Sequence, residues 1–183
     1  MKLFYILLGA EPKNRNIEQH DVFFGIAENL KDLVPAMKNF WPEANGKIHI
    51  DCYQEVKFVD GYELKIVEKN GDEKENHIYF INLGGYKPGI FEEFHAKYLM
   101  VESTMAQVIK RVKKTEFYKT FGFKAAPSHI DDKFGVDIDD IYKVSDILPA
   151  EMKEKYAIIL EKSEEINQEN FTYIGYLKIS KLK

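Results

Sequence analysis

"LFYILLGA" at Leu3–Ala10 recurs as "IYFINLGG" at Ile78–Gly85, and much of the chain after each copy also matches. Sliding the chain by 75 positions lays Ile6 on Ile81, Leu8 on Leu83, Gly9 on Gly84, Glu18 on Glu93 and His20 on His95. Apolar residues replace one another at Ile26/Val101, Leu33/Val108 and Met37/Val112. A shift of 80 lays His49-Ile50-Asp51 on His129-Ile130-Asp131, and a shift of 93 lays "IVEK" from Ile66 on "ILEK" from Ile159. Four of the five histidines therefore fall into matched pairs, which makes the repeat the first guide to both fold and site.

Each copy opens on a continuous apolar run ended by glycine, the pattern of a strand buried on both faces. Glu18 to Ala27 reads as a second strand because its counterpart "HAKYLMVES" alternates and carries β-branched and aromatic residues. A helix comes next, with Leu33, Val34, Met37 and Trp41 at helical spacing; Asp32 is the expected cap, and Pro35 sits early enough for its missing amide to do no harm. In the second copy Thr104 and Gln107 have the spacing of a capping box ahead of Met105, Val108, Ile109 and Val112. Lys47 to Tyr53 is a strand, and Tyr62–Lys69 with His77–Leu83 reads as a hairpin around Asn70-Gly71 that returns as Tyr156–Lys162 with Phe171–Ile179. The second copy is longer: 28 residues separate Asp131 from Ile159, against 15 between Asp51 and Ile66. A short strand at Ile141–Val144 and a helix starting near Pro149 are expected there.

The expected fold is α+β: two tandem ββαββ-like repeats, residues 1–76 and 77–183, the second with an insertion near 132–155. They form one cooperative, pseudo-twofold body with helices on a mainly antiparallel sheet.

With 183 residues, 45% of them hydrophobic, the chain can bury a real core. Twenty-six basic against 30 acidic residues give a net charge of -4, which argues against non-specific binding to nucleic acid. The basic run Lys110, Arg111, Lys113, Lys114 and Lys119 reads as a solvated helix face. A lone cysteine, Cys52, excludes an internal disulfide and a thiol-only zinc site. "MKLFYILLGA" is succeeded by "EPKNRN" rather than a small-residue cleavage site, and its recurrence in mid-chain marks it as a strand. No apolar stretch approaches the ~20 residues that span a bilayer. The expectation is a soluble cytoplasmic protein with no membrane or nucleic-acid partner.

The ordered segments "EQHDVFFGIAENLKDLVPAMKNFWPEA", "KIHID", "VDGY", "INLGGYKPGIFEEFHAKYLMV" and "FYKTFGFKAAPSHIDDKFGVDIDDIYKV" resemble a bacterial family known as domain of unknown function 1543. The resemblance implies one or two copies of a repeat and no assigned activity, so it supplies no catalytic residue.

Candidate chemistry comes from the matched polar pairs. Glu18 with His20, and Glu93 with His95, are two apart, which places a carboxylate and an imidazole on one face of a strand. His49 with Asp51 and His129 with Asp131 share that spacing. Such pairs can ligate a metal or orient an imidazole for proton transfer; the plainer alternative is a histidine bonded to a carbonyl or its own carboxylate neighbour. The acidic run Asp131, Asp132, Asp137, Asp139 and Asp140 lacks EF-hand spacing and reads as a solvated loop. The glycines of "LGGYKPG" read as a tight turn, and Cys52, three residues after His49, falls on the opposite face of a regular strand. P-loop, dinucleotide-binding, nucleophile-elbow and paired-histidine zinc motifs are missing. Two functional readings stand. The first is a non-enzymatic module that binds a protein or small molecule without a cofactor; the alternative is a small-molecule enzyme or divalent-metal protein built on the repeated pairs.

Overall fold

The computed structural model describes residues 1–70, 75–121, 140–165 and 168–182. The architecture is α+β, with helices packed on antiparallel sheet, and it divides into two compact units: Met1–Asp72 with Ile147–Lys183, and Glu73–Asp146. No helix among the described residues is long and apolar enough to cross a membrane.

In the first unit β1 (Lys2–Ala10) lies between β2 (Gln19–Ala27) and β3 (Ile48–Val56). One face of β1, carrying Phe4, Ile6, Leu8 and Ala10, enters the core with Phe23, Ile48 and Ile50. That face is closed by a 3-10 turn (Leu30–Leu33) and α1 (Val34–Phe40), whose Leu33 and Met37 are fully buried, with Trp41 packed at the edge. The helical spacing of these residues is thus realised. Asp32 is not the cap, however: Asn29 caps the turn, and its backbone N–H donates to Asp32 Oδ2 at 3.1 Å. The helical run begins three residues earlier than its apolar spacing suggests because Leu30 to Leu33 wind as a 3-10 turn ahead of Pro35.

The short β4 (Phe58–Val59) pairs with β5 (Tyr62–Glu68) across a tight turn in which Asp60 and Gly61 both have positive φ. Asn170 holds the chain that leads into β4. Its Oδ1 accepts the backbone N–H groups of Lys57 and Phe58 at 2.7 and 2.8 Å, and its Nδ2 donates to the Phe58 carbonyl at 2.8 Å. Asn170→Ala leaves three backbone groups to find water in a partly covered site. It is expected to lower stability by about 2 kcal/mol, read as an earlier denaturant midpoint at unchanged slope.

In the second unit β6 (His77–Tyr86) is flanked by β7 (Glu93–Glu102) and β8 (Asp140–Lys143). The helix α2 (Met105–Val112) places Val108 and Val112 against Tyr79, Ile81, Leu83 and Met100. Its capping box forms as expected: Thr104 Oγ1 accepts from the Gln107 backbone N–H, and Gln107 Oε1 accepts from the Thr104 N–H at 3.0 Å. The basic run spans α2, the turn after it and α3 (Glu116–Thr120): Lys110 on α2, Lys113 and Lys114 in the turn and Lys119 on α3 are exposed, and Arg111 pairs with Glu102. The glycines Gly84 and Gly85 belong to β6 rather than to a turn. A Cβ on Gly85 would stand 2.7 Å from the Phe121 carbonyl oxygen, so packing against α3 accounts for that glycine, while the turn falls at Gly89, where φ is positive.

After β8 the chain runs through α4 (Val144–Ile147) and α5 (Ala150–Lys155), the latter beginning at Pro149 as its sequence suggests, into β9 (Tyr156–Lys162) and β10 (Phe171–Lys178). Neither expected hairpin forms. The strand β5 pairs with β9, with Ile66 opposite Ile158 and Leu64 opposite Leu160, and β10 pairs with β3. Asn-Gly favours a two-residue connection, but eight residues lie between Glu68 and His77, too many for one turn to fix a register. Cross-strand aliphatic pairs then decide the partner, and the two strands that carry the similar "IVEK" and "ILEK" segments pair antiparallel, each segment facing residues just before the other. Gly71 of the expected turn lies outside the described residues.

Candidate functional site

The sheet of the first unit is ordered β10-β3-β1-β2. Gly9 on β1 stands opposite His20 on β2 and opposite His49 on β3, and His49 stands opposite Lys178 on β10. Residues directly opposite share a face, so Lys178, His49, Gly9 and His20 form one row across four strands. Leu8, Ala10, Ile48 and Ile50 point the other way, into the core. Gly9 is required by close approach: a Cβ there would overlap the His49 ring and stand 2.8 Å from Asp51 Oδ2.

Asp51 owes its position to a bulge. Leu8 is opposite Ile50 and Leu7 is opposite Cys52, which leaves Asp51 as the extra residue of β3. The β10–β3 register also breaks here, between Ile174 and Leu177, where Gly175 has a φ of 145°. Bulges re-aim side chains near functional sites, and this one turns the Asp51 carboxylate along the histidine row. It also reverses the strand's alternation, so Cys52, opposite Leu7, lies on the same face as His49 and not on the opposite one. Regular alternation cannot anticipate that.

Four sequence-predicted residues converge. His49 Nε2 lies 3.1 Å from Glu18 Oε1 and 3.2 Å from Asp51 Oδ1, while His20 Nε2 lies 3.2 Å from Asp51 Oδ2 and 3.6 Å from Glu18 Oε2. Each carboxylate thus spans the two imidazoles with its two oxygens. Yet His49 Nε2 and Asp51 Oδ2 are both buried and without a hydrogen-bond partner, so the short contacts to them are not aligned bonds. The His49 side chain is 8% exposed, beneath the Tyr176 ring at a centroid distance of 4.4 Å; Asp51 is 28% exposed, and His20 and Glu18 are about half exposed. The floor is therefore fixed and the rim open.

Among the described residues, no group of three or more His, Cys, Asp or Glu stands ready-made as a metal-holding set. The quartet must draw in by side-chain rotation before an ion is fully ligated, and the exposed Glu18 and His20 have that freedom. Their spacing fits a metal nonetheless: two donors about 2.1 Å from one ion at right to tetrahedral angles stand about 3.0–3.4 Å apart. Two neutral imidazoles and two carboxylates would balance one divalent cation, and that donor set suits zinc, iron or manganese better than calcium or magnesium.

Burial, aided by the nearby Cys52, pushes the Tyr5 hydroxyl up to about 12, so this phenol stays protonated at neutral pH and supplies no base. Of the second set, Glu93 and His95 lie exposed on β7, with His95 opposite Gly84 in the relation that Gly9 has to His20. His129 and Asp131 lie outside the described residues, as does the acidic run up to Asp139. Two concavities of the first unit are lined by described residues. One, about 350 Å³, adjoins His49 and is lined by Lys47, Tyr176 and Lys178; a larger one, about 610 Å³, lies between α1 and α5 over Phe23, Phe40 and Met152, with only Asp32 and Glu151 as charged lining. The smaller is the one beside the chemistry. Sequence reasoning missed Gly9, Tyr176 and Lys178, since Gly9 and Lys178 join the site through strand pairing and Tyr176 through the break in the β10–β3 register.

Residues 15–66 match the family described as Domain of Unknown Function (DUF1543). The matched DUF1543 segment contains Glu18, His20, His49 and Asp51. No curated protein matches the chain. Among solved structures, the chain is similar to the crystal structure of a protein Il1583 from Idiomarina loihiensis, at 20% identity over 97% of each chain with a TM-score of 0.65. That likeness concerns the fold alone.

Proposed function

We propose that the first unit is a binding module for one divalent first-row metal ion, held by His49 and His20 through Nε2 and by the carboxylates of Glu18 and Asp51. The observation that carries this reading is the pair of buried atoms without a hydrogen-bond partner, His49 Nε2 and Asp51 Oδ2, among the four side chains. Leaving such atoms unpaired costs about 1–3 kcal/mol each, and an ion offsets that cost. A fixed row on three strands with Glu18 and His20 at an open rim is suited to loading the ion from solvent. Of the two sequence readings, this geometry favours the metal protein, and it leaves the binding-module character intact. The same 75-residue offset that relates Gly9–His20 to Gly84–His95 supports reading the chain as two tandem copies of one bacterial repeat.

The test is calorimetric titration of chelator-treated protein with zinc. One ion per chain is expected, and His49→Ala should weaken binding about 100-fold, since it removes a ligand and uncovers the site. Equal affinity in wild type and His49→Ala would remove the proposal.

A further inference from the structure

His49 takes part in two environments. Its Nε2 faces Glu18 and Asp51, while the residue also lines the cavity of about 350 Å³ with Lys47, Tyr176, Lys178 and Ser180, its ring centroid 4.4 Å from that of Tyr176. Among the described residues neither lysine has an ion-pair partner, and His49 Nδ1 has no protein hydrogen-bond partner. A metal on Nε2 fixes the ring proton on Nδ1, and a ligating imidazole commonly gives that hydrogen to a carboxylate, a carbonyl or water. We infer that this cavity takes a small molecule through an oxyanion group, a carboxylate or a phosphate, that pairs with Lys47 and Lys178 and accepts the Nδ1–H of metal-bound His49.

The coupling to metal rests on the metal reading above and comes from charge. Without an ion, Glu18 and Asp51 present two negative charges against the far edge of the same ring and oppose an anion. A bound dication cancels them and leaves the two lysines unopposed. The Tyr176 ring, which covers His49 and is itself largely exposed, supplies an apolar wall for the rest of the molecule.

Calorimetry with inorganic phosphate and, separately, succinate tests this on four samples: wild type and the Lys47→Met/Lys178→Met variant, each with and without zinc, with zinc content measured throughout. Zinc-loaded wild type should bind one oxyanion, more tightly than the metal-free protein. The double variant should keep its zinc but bind the oxyanion about tenfold more weakly or worse. Preference for phosphate would identify a phosphate-bearing ligand, and preference for succinate a carboxylate. An oxyanion bound equally well by the double variant, or not bound by wild type at all, overturns the inference. If no zinc binds, the metal reading fails separately, and lysine-dependent phosphate binding by the metal-free protein still supports the oxyanion site.

Discussion

Gly9→Ala is expected to weaken zinc binding at least about 100-fold while leaving the first unit folded. The added methyl would overlap His49 Nε2 and lie 2.8 Å from both His49 Cε1 and Asp51 Oδ2. It meets side-chain ends rather than backbone, so the fold has a way out: the imidazole swings off its position. Alanine also fits an extended strand, and replacing glycine in a strand interior removes backbone entropy from the unfolded chain, a gain of roughly 0.5–1 kcal/mol. The variant should therefore melt at or slightly above the wild-type temperature and bind zinc at least about 100-fold more weakly, as expected when a ligand is displaced. A structural histidine would give the reverse, a destabilised protein with metal behaviour like that of wild type. Wild-type zinc affinity in Gly9→Ala would show that the row across β3, β1 and β2 does not hold the ion.

Val112→Asp is expected to unfold the second unit. Val112 is fully buried on α2 in one cluster with Tyr79, Ile81, Leu83, Met100 and Val108. An aspartate there loses the valine's apolar burial and places a charge where no basic group belongs to the cluster, a penalty of about 4–5 kcal/mol or more for a domain whose whole stability is of order 5–15 kcal/mol. The measurement is the near-ultraviolet circular dichroism of the tyrosine-rich second unit together with its thermal transition. A soluble variant with the wild-type transition would show that α2 does not pack by the face containing Val108 and Val112.

The strand runs, the Thr104–Gln107 capping box and the burial of Leu33, Met37, Val108 and Val112 were legible because each is written in local spacing. The pairing of the C-terminal strands was not. Nothing near Glu68 says that β5 will meet β9, and the Asn-Gly signal at residue 70 points to a nearer partner than the one cross-strand packing selects. The site divides in the same way. Glu18 and His20, and His49 and Asp51, were each readable as one-face pairs, but their meeting depends on β2 and β3 flanking the same strand at Gly9. The bulge at Asp51 has no mark in "HID", and it is what brings the carboxylate into the row and Cys52 onto the same face.

The most direct measurement is long-range proton–nitrogen correlation of the histidine rings in uniformly labelled protein, before and after one equivalent of zinc. The rings of His20 and His49 should both move to the pattern of a metal on Nε2 and a proton on Nδ1, while His77 and His95 stay unchanged. Unmoved His20 and His49 rings, or rings that keep their protons on Nε2, would contradict the metal centre.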